Sequence, residues 1–268
     1  MLVKRMFNVF FLCLSVCFMV FFVNAASADT SKRDIPLIAA ASSIKFALDD
    51  VIQKFTSDTG LRVNVSYGSS GNLVSQIRHG APFQLFLSAD EFYVSELKQQ
   101  GLIQGEGQVY AIGKLALVAS KTSPLPLDES LKGVKDFIRS GQLARFAIAN
   151  PKHAPYGERA QALLKRFGLW NNIQPHLVLG ENVSQAAQFV LTGAVQGGIV
   201  ALSLTISPQF KKEIEYVVLP MDSYPPLKQS MALLNNADTT ARLFYQYVLS
   251  PKAQSIFQHY GFAQVGTL

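Results

Sequence analysis

Residues 36–71 read PLIAAASSIKFALDDVIQKFTSDTGLRVNVSYGSSG, and this stretch decides the fold class. Pro36 to Ala40 is an apolar run of strand length. Ile44 to Phe55 then places Ile44, Leu48, Val51, Ile52 and Phe55 on one helical face, with Asp49, Gln53 and Lys54 opposite. Thr59-Gly60 marks the helix end. From Leu61 to Tyr67, apolar residues alternate with Arg62, Asn64 and Ser66, the pattern of a half-buried strand. Gly68 to Asn72 is a turn, and a short helix runs on to Arg78. Strand, helix, strand and helix in so short a stretch is the opening of an α/β protein.

The same alternation continues outward. Strands are predicted at Gln84–Leu87, Arg145–Ala149, His176–Leu179, Gly197–Leu202, Tyr216–Leu219 and Ser230–Leu234. Gln108 to Ser120 is a long β-type run, either two strands or one that turns at Gly113. Helices are predicted at Glu91–Gln100, Gly157–Phe167 (stopped by Gly168), Val183–Leu191, Thr239–Leu249 (capped by Asp238) and Pro251–Tyr260. These are too many elements for one small sheet. No repeat and no Gly/Ser linker divides the chain. The expected fold is therefore α/β with two lobes, each a mainly parallel sheet flanked by helices, and strands crossing between the lobes. The expected division is residues 29–112 plus 224–268 for lobe 1 and 113–223 for lobe 2.

Composition narrows the function. The chain has 268 residues, 49 % apolar and 16 % charged, which excludes a disordered protein. The net charge is +6 and contains no run of five or six basic residues, so nucleic acid is not an expected partner. Lys4 and Arg5 precede an apolar stretch from Val9 to Val23, followed by Asn24-Ala25-Ala26-Ser27-Ala28. Basic start, apolar run and small residues describe a secretory signal peptide over residues 1–28, cleaved after Ala25 or Ala28. An uncleaved anchor is the alternative. A lipoprotein site at Cys17 is disfavoured by the bulk of Val16. Both cysteines, Cys13 and Cys17, fall in this segment, so the exported chain would carry no disulfide and no thiolate. A cleaved segment makes the chain an exported protein.

Enzyme motifs are missing: no G-x-x-x-x-G-K-[ST], G-x-S-x-G or H-E-x-x-H occurs. His79, His153, His176 and His259 lie far apart with no metal-ligand spacing, and each reads as a surface or satisfied structural residue. Asp49-Asp50 reads as solvated helix face, since helix neighbours point about 100° apart. Two loops carry more promising chemistry. Ala39-Ala40-Ala41-Ser42-Ser43 and Tyr67-Gly68-Ser69-Ser70-Gly71 each join the end of a strand to the start of a helix, where α/β proteins bind ligands. Helix N-termini offer free N–H groups and a partial positive charge, serine adds a donor, and glycine lets the backbone come close. Ordinary N-capping by these serines is the competing reading. His153-Ala154-Pro155-Tyr156-Gly157 and Glu181-Asn182-Val183 also sit where helices begin. Tyr156 either turns its hydroxyl inward or packs on its neighbours.

Taken in order, these residues resemble the periplasmic molybdate-binding proteins of ABC transporters. The resemblance is carried by Ala39-Ala40-Ala41-Ser42, Gly68-Ser69-Ser70-Gly71-Asn72-Leu73 with Gln76-Ile77, and Gly80-Ala81-Pro82 with Leu85-Phe86-Leu87-Ser88-Ala89-Asp90. It continues in Asn150-Pro151, His153-Ala154-Pro155-Tyr156-Gly157, Glu181-Asn182-Val183, Gly198-Ile199-Val200-Ala201 and Tyr260-Gly261-Phe262. The resemblance implies a two-lobed binding protein that holds the tetrahedral oxyanion molybdate or tungstate by neutral hydrogen bonds and hands it to a membrane permease. Carried over by position, Ser42 and Ser70 would donate from one lobe, Tyr156 and the Val183 backbone from the other, with Ser43 as an added donor. The oxyanion would be held through its oxygens, with no direct metal ligand, no cofactor and no catalytic residue, by a protein expected to be a monomer. Two positions depart from the family pattern. Some members carry a tyrosine where this chain has Ala201 and lack one at Tyr156, and many carry an acid where this chain has Gln84. A sulfate or other oxyanion receptor, a secreted hydrolase using Ser42 or Ser70 as nucleophile, and a sensing module that signals through a partner are the rival expectations.

Overall fold

The computed structural model describes residues 35–266, so the segment read as a signal peptide lies outside the described residues. Among these residues ten strands form two five-stranded sheets. The first sheet contains β1 (Leu37–Ala41), β2 (Asn64–Gly68), β3 (Phe83–Ser88), β4 (Ile103–Gly113) and β10 (Leu227–Leu234), in the order β2-β1-β3-β10-β4. The second contains β5 (Leu115–Ser120), β6 (Phe146–Ala149), β7 (Leu177–Gly180), β8 (Gly197–Ala201) and β9 (Ile214–Val218), in the order β7-β6-β8-β5-β9.

The expectation of mainly parallel sheets is refined. In each sheet three strands pair in parallel, and one reversed strand, β10 or β5, makes both of its pairings antiparallel. Four of the five strands still point the same way. The reversal follows from the crossings. The chain leaves the first sheet after Gly113 and enters the second at Leu115, and it returns between Val218 and Leu227. The two connections are stitched together: the Leu115 N–H donates to the Tyr224 hydroxyl at 3.0 Å, and the Leu219 N–H to the Leu115 carbonyl at 3.0 Å.

Burial on both faces explains why the strands read as apolar runs. Along β1, Ile38 and Ala40 face a core of Leu48, Phe55, Phe244 and Phe257, while Ala39 faces Leu73, Val74, Phe86 and Val94, the period of two that a strand imposes. The first core is supplied by helices α1 (Lys45–Thr59), α10 (Thr239–Val248) and α11 (Pro251–His259), and the second by α2 (Ser70–Arg78) and α3 (Glu91–Gln99). The second sheet is covered by α5 (Pro155–Arg166) and α7 (Val183–Leu191) through Leu163, Leu164, Ala186 and Val190.

Helix α4 (Lys132–Arg139) is an element the sequence pattern did not suggest. It is eight residues long and buries only Gly133, Val134 and Phe137, too few for a clear period. Its start is made by the Asp128 carboxylate, which accepts from the N–H groups of Lys132 at 2.9 Å and Gly133 at 2.7 Å. The short helices α6 (Trp170–Ile173), α8 (Leu202–Thr205) and α9 (Pro208–Lys211) complete the set among the described residues. Strand β2 is shorter than expected, because Leu61–Val63 lie outside its pairing with β1.

Candidate functional site

The ends of β1 and β2 deliver Ser42, Ser43 and Ser70 from the first sheet. The starts of α5 and α7 deliver Tyr156 and Val183 from the second. All five line one cavity, together with Ser69, Gly68, Ala41, Ala89, Ala154 and Pro155. Its space, mouth included, is about 180 Å³. None of these lining residues carries a carboxylate or a formal charge.

The hydroxyls are arranged as donors. Ser70 Oγ accepts from the Ala89 N–H at 3.0 Å, Ser42 Oγ from the Ser184 N–H at 3.3 Å, and Tyr156 Oη from Gln229 Nε2 at 3.2 Å. Each oxygen therefore has an acceptor site filled by a protein N–H and keeps its own proton to give. Ser43 Oγ is buried beside the Tyr156 hydroxyl and makes no well-formed hydrogen bond among the described residues. A buried hydroxyl without a partner is costly and calls for one. The first-turn N–H groups of Ser70, Tyr156 and Val183 add to the set, since a helix start leaves them without intrahelical partners. Burial pushes the Tyr156 phenol far above its ordinary pKa, so it keeps its proton throughout the physiological range.

The capping reading of the two serine loops does not hold. The N-cap residues of the 3-10 turn Ser42–Ile44 and of α2 make no side-chain cap bond. Ser42 instead accepts from the first turn of α7, across the cleft. Asn182 is the residue that caps α7, accepting from the Gln185 N–H at 3.0 Å.

Two cross-cleft contacts were not visible in the sequence. Ser69 Oγ is 2.9 Å from His153 Nδ1, and the other ring nitrogen lies 3.5 Å from Glu181 Oε2 at the mouth. His153, expected to be a surface or structural residue, is thus a bridge between the two sheets. Beside it the Gly71 N–H donates to the His153 carbonyl at 3.0 Å. A Cβ on Gly71 would stand 2.8 Å from that oxygen, so only glycine allows this approach. The second contact is Arg159 of α5, which pairs with the Asp90 carboxylate at the end of β3 and with Glu158 at 2.9 Å, and donates to the Pro225 carbonyl at 3.2 Å. Its charge is matched by those acids, which keeps the neighbouring cavity neutral.

The two departures from the family pattern have clear positions. Ala201 ends β8 and is fully buried. Gln84 Oε1 accepts from the Asp238 N–H at 2.8 Å, fixing the start of α10 away from the cavity. A carboxylate at position 84 would accept the same bond, so this loss leaves the cavity chemistry alone. Among the described residues no cluster of three or more His, Cys, Asp or Glu is placed to hold a metal ion, and no helix is long and apolar enough to cross a membrane.

Known proteins resemble this chain in sequence and fold. The chain is 34 % identical over 228 residues to the molybdate-binding protein of Azotobacter vinelandii, covering 84 % of this chain and 88 % of that protein. It is 33 % identical over 229 residues to the molybdate-binding protein of Rhodobacter capsulatus, covering 84 % and 87 %. A solved structure of the periplasmic molybdate-binding protein of Azotobacter vinelandii superposes with a TM-score of 0.79 at 30 % identity, over 86 % of this chain and 99 % of that one. The model of the bacterial extracellular solute-binding proteins matches residues 36–263, and the chain belongs to that family.

Proposed function

We propose that this protein is an exported receptor that binds molybdate or tungstate between its two sheets and delivers it to the membrane permease of an ABC transporter. One observation carries the reading: a small cavity in which the Ser42, Ser70 and Tyr156 hydroxyls each keep a proton to donate and whose lining offers no carboxylate acceptor. Molybdate at neutral pH is a dianion with acceptor oxygens and no proton, so a donor-only site suits it. Hydrogen phosphate carries a proton that would find no carboxylate acceptor here. The names of the relatives agree with this choice. The receptor acts in the periplasm as a monomer, without cofactor, catalysis or nucleic acid, after cleavage behind Ala25 or Ala28. The described parts of 29–112 and 224–268 make one lobe and 113–223 the other. The two adjacent crossings at Lys114 and at 219–226 supply the natural hinge, and hinge closure is a common route for such receptors.

The hydrolase reading needs a base beside Ser42 or Ser70, and both oxygens are instead bonded by backbone N–H groups. Ser69 does face an imidazole, yet it is 4 % exposed and its partner comes from across the cleft.

The test is a thermal-shift panel with molybdate, tungstate, sulfate and phosphate at fixed ionic strength. A ligand at 100 times its Kd adds about 2.7 kcal/mol, a rise of several degrees. Molybdate and tungstate are expected to shift the midpoint, and phosphate is not. An equal shift by sulfate reduces the reading to a general oxyanion receptor, and no shift by any anion overturns it. A second check acts on closure. Gly71→Ala would press its methyl against the His153 carbonyl only when the sheets are together, so it is expected to weaken molybdate about tenfold, the effect of a modest steric strain. Titration calorimetry reads this, and unchanged affinity would mean that the cleft does not need this approach.

A further inference from the structure

We propose that Gln229 and Tyr110 are positioning residues that hold the Tyr156 hydroxyl as a donor toward the cavity, and so make the site reject anions that carry a proton. The inference rests on the receptor reading above. Gln229 on β10 is fully buried between two phenols. Its Nε2 donates to Tyr156 Oη at 3.2 Å, and its Oε1 accepts a long bond from Tyr110 Oη at 3.5 Å. Gly113, at the crossing, leaves the room for this: a Cβ there would collide with the Tyr156 hydroxyl and stand 2.7 Å from Gln229 Nε2.

Direction is the point of the chain. Each phenol has one proton, and the amide has a donor end and an acceptor end. With the amide turned as these contacts have it, Tyr110 gives its proton to Gln229, Gln229 gives one to Tyr156, and the Tyr156 proton is left for the cavity side. In the reversed order Tyr156 would give its proton to Gln229, Gln229 would donate to Tyr110, and the Tyr110 proton would have no acceptor. Tyr110 is 1 % exposed and its ring packs against Phe257, with centroids 5.4 Å apart. A stranded proton in that apolar setting is unfavourable, so the core end of the relay fixes what the cavity end presents. The cavity then sees an O–H and never a lone pair, and an anion that must donate a proton finds no partner at Tyr156.

The groups facing Gln229 are the Tyr110 and Tyr156 hydroxyls, with Tyr224 and the Ser43 hydroxyl, itself on the cavity wall, beside Tyr156. Charges on the elements packed around β10 are taken up elsewhere: Arg159 by Asp90 and Glu158, and Glu91 of α3 by Lys228. Glu96 and Lys98 of α3 pair with Arg78 and Glu106, while Arg242 of α10 is exposed.

Two variants test this by titration calorimetry with molybdate and phosphate. Tyr110→Phe removes one oxygen far from the ligand and frees the amide to turn. It is expected to weaken molybdate about tenfold, the loss of one charge-assisted bond, and to narrow the molybdate-to-phosphate affinity ratio. Gln229→Glu puts an acceptor beside Tyr156 unless the new carboxyl is protonated. Molybdate affinity of this variant is then expected to fall about tenfold per pH unit above the carboxyl's pKa, with one proton taken up per anion. That uptake appears as a heat that scales with the buffer's ionisation enthalpy between pH 6.5 and 9, where the wild type is flat. Wild-type affinity ratio in Tyr110→Phe, or a folded Gln229→Glu with no pH slope, overturns the positioning role while leaving the receptor intact. A wild type that binds no anion overturns both. Should Gln229→Glu not fold, Tyr110→Phe decides alone.

Discussion

Ser70→Ala is expected to weaken molybdate binding tenfold to a hundredfold while leaving a folded protein. The Ser70 hydroxyl accepts from Ala89 and has its proton free beside the cavity. Hydrogen bonds to a charged partner are worth about 1.5–3 kcal/mol net, which converts to that range of affinity. The substitution also strands the Ala89 N–H when the serine oxygen goes, a cost of about 1–3 kcal/mol to stability. The two effects separate by measuring Kd by calorimetry and the urea midpoint without ligand. Ser42→Ala should lose affinity over the same range, because its oxygen accepts from Ser184 on the opposite side and its proton is likewise left free beside the cavity. If Ser70→Ala binds molybdate as tightly as the wild type, the donor assignment at this loop is wrong. A lower midpoint with unchanged Kd would make Ser70 a structural residue only.

Much of this site was legible because the chemistry sits at strand-to-helix turns. A serine at the end of β1, a Gly-Ser-Ser-Gly turn after β2 and Pro-Tyr-Gly at the start of α5 are local signals, and all lie within a few residues of the elements that hold them. What local sequence leaves open is which way an oxygen turns. Ser70 bonds Ala89 and Ser42 bonds Ser184 rather than their own helices, and a capping serine would carry the same letters. The residues that were missed act through partners remote in the chain. Ser69 and His153 are 84 positions apart, Asp90 and Arg159 are 69 apart, and Tyr156 and Gln229 are 73 apart. No periodicity reports such pairs. Position 159 falls on a helix whose other buried residues are mostly apolar or small, so a buried arginine there breaks the pattern instead of fitting it. The sheet topology was legible in class but not in detail, because a reversed strand such as β10 has the same apolar pattern as its parallel neighbours.

Arg159→Met is expected to cost more stability than any other single change considered, and in a pH-dependent way. Arg159 and Asp90 are 9 % and 6 % exposed and meet across the cleft. Removing the arginine leaves Asp90 with the Phe92 N–H at 2.8 Å as its charge-stabilising partner, and breaking a buried pair from one side costs about 3–5 kcal/mol. At this size that lowers the thermal midpoint by about 10 °C. Burial already raises the Asp90 pKa, opposed by the Phe92 N–H and by Arg159, so loss of the arginine raises it further. A carboxyl whose folded pKa is raised binds more protons folded than unfolded. Its penalty is therefore absent below the unfolded pKa and grows as pH rises toward the folded value. The variant should lie closest to the wild type in acid and furthest from it at neutral and higher pH. Melting both proteins at pH 5 and pH 8 checks this, and a gap that is the same at the two values would show that Asp90 is not left unpaired. Arg159→Met combined with Asp90→Asn should recover much of the loss, because a neutral amide can stay buried where the lone carboxylate cannot. Replacing a whole buried ion pair by groups without charge is often close to neutral, so a double variant no more stable than Arg159→Met alone would place the arginine's contribution in its bond to Pro225 instead.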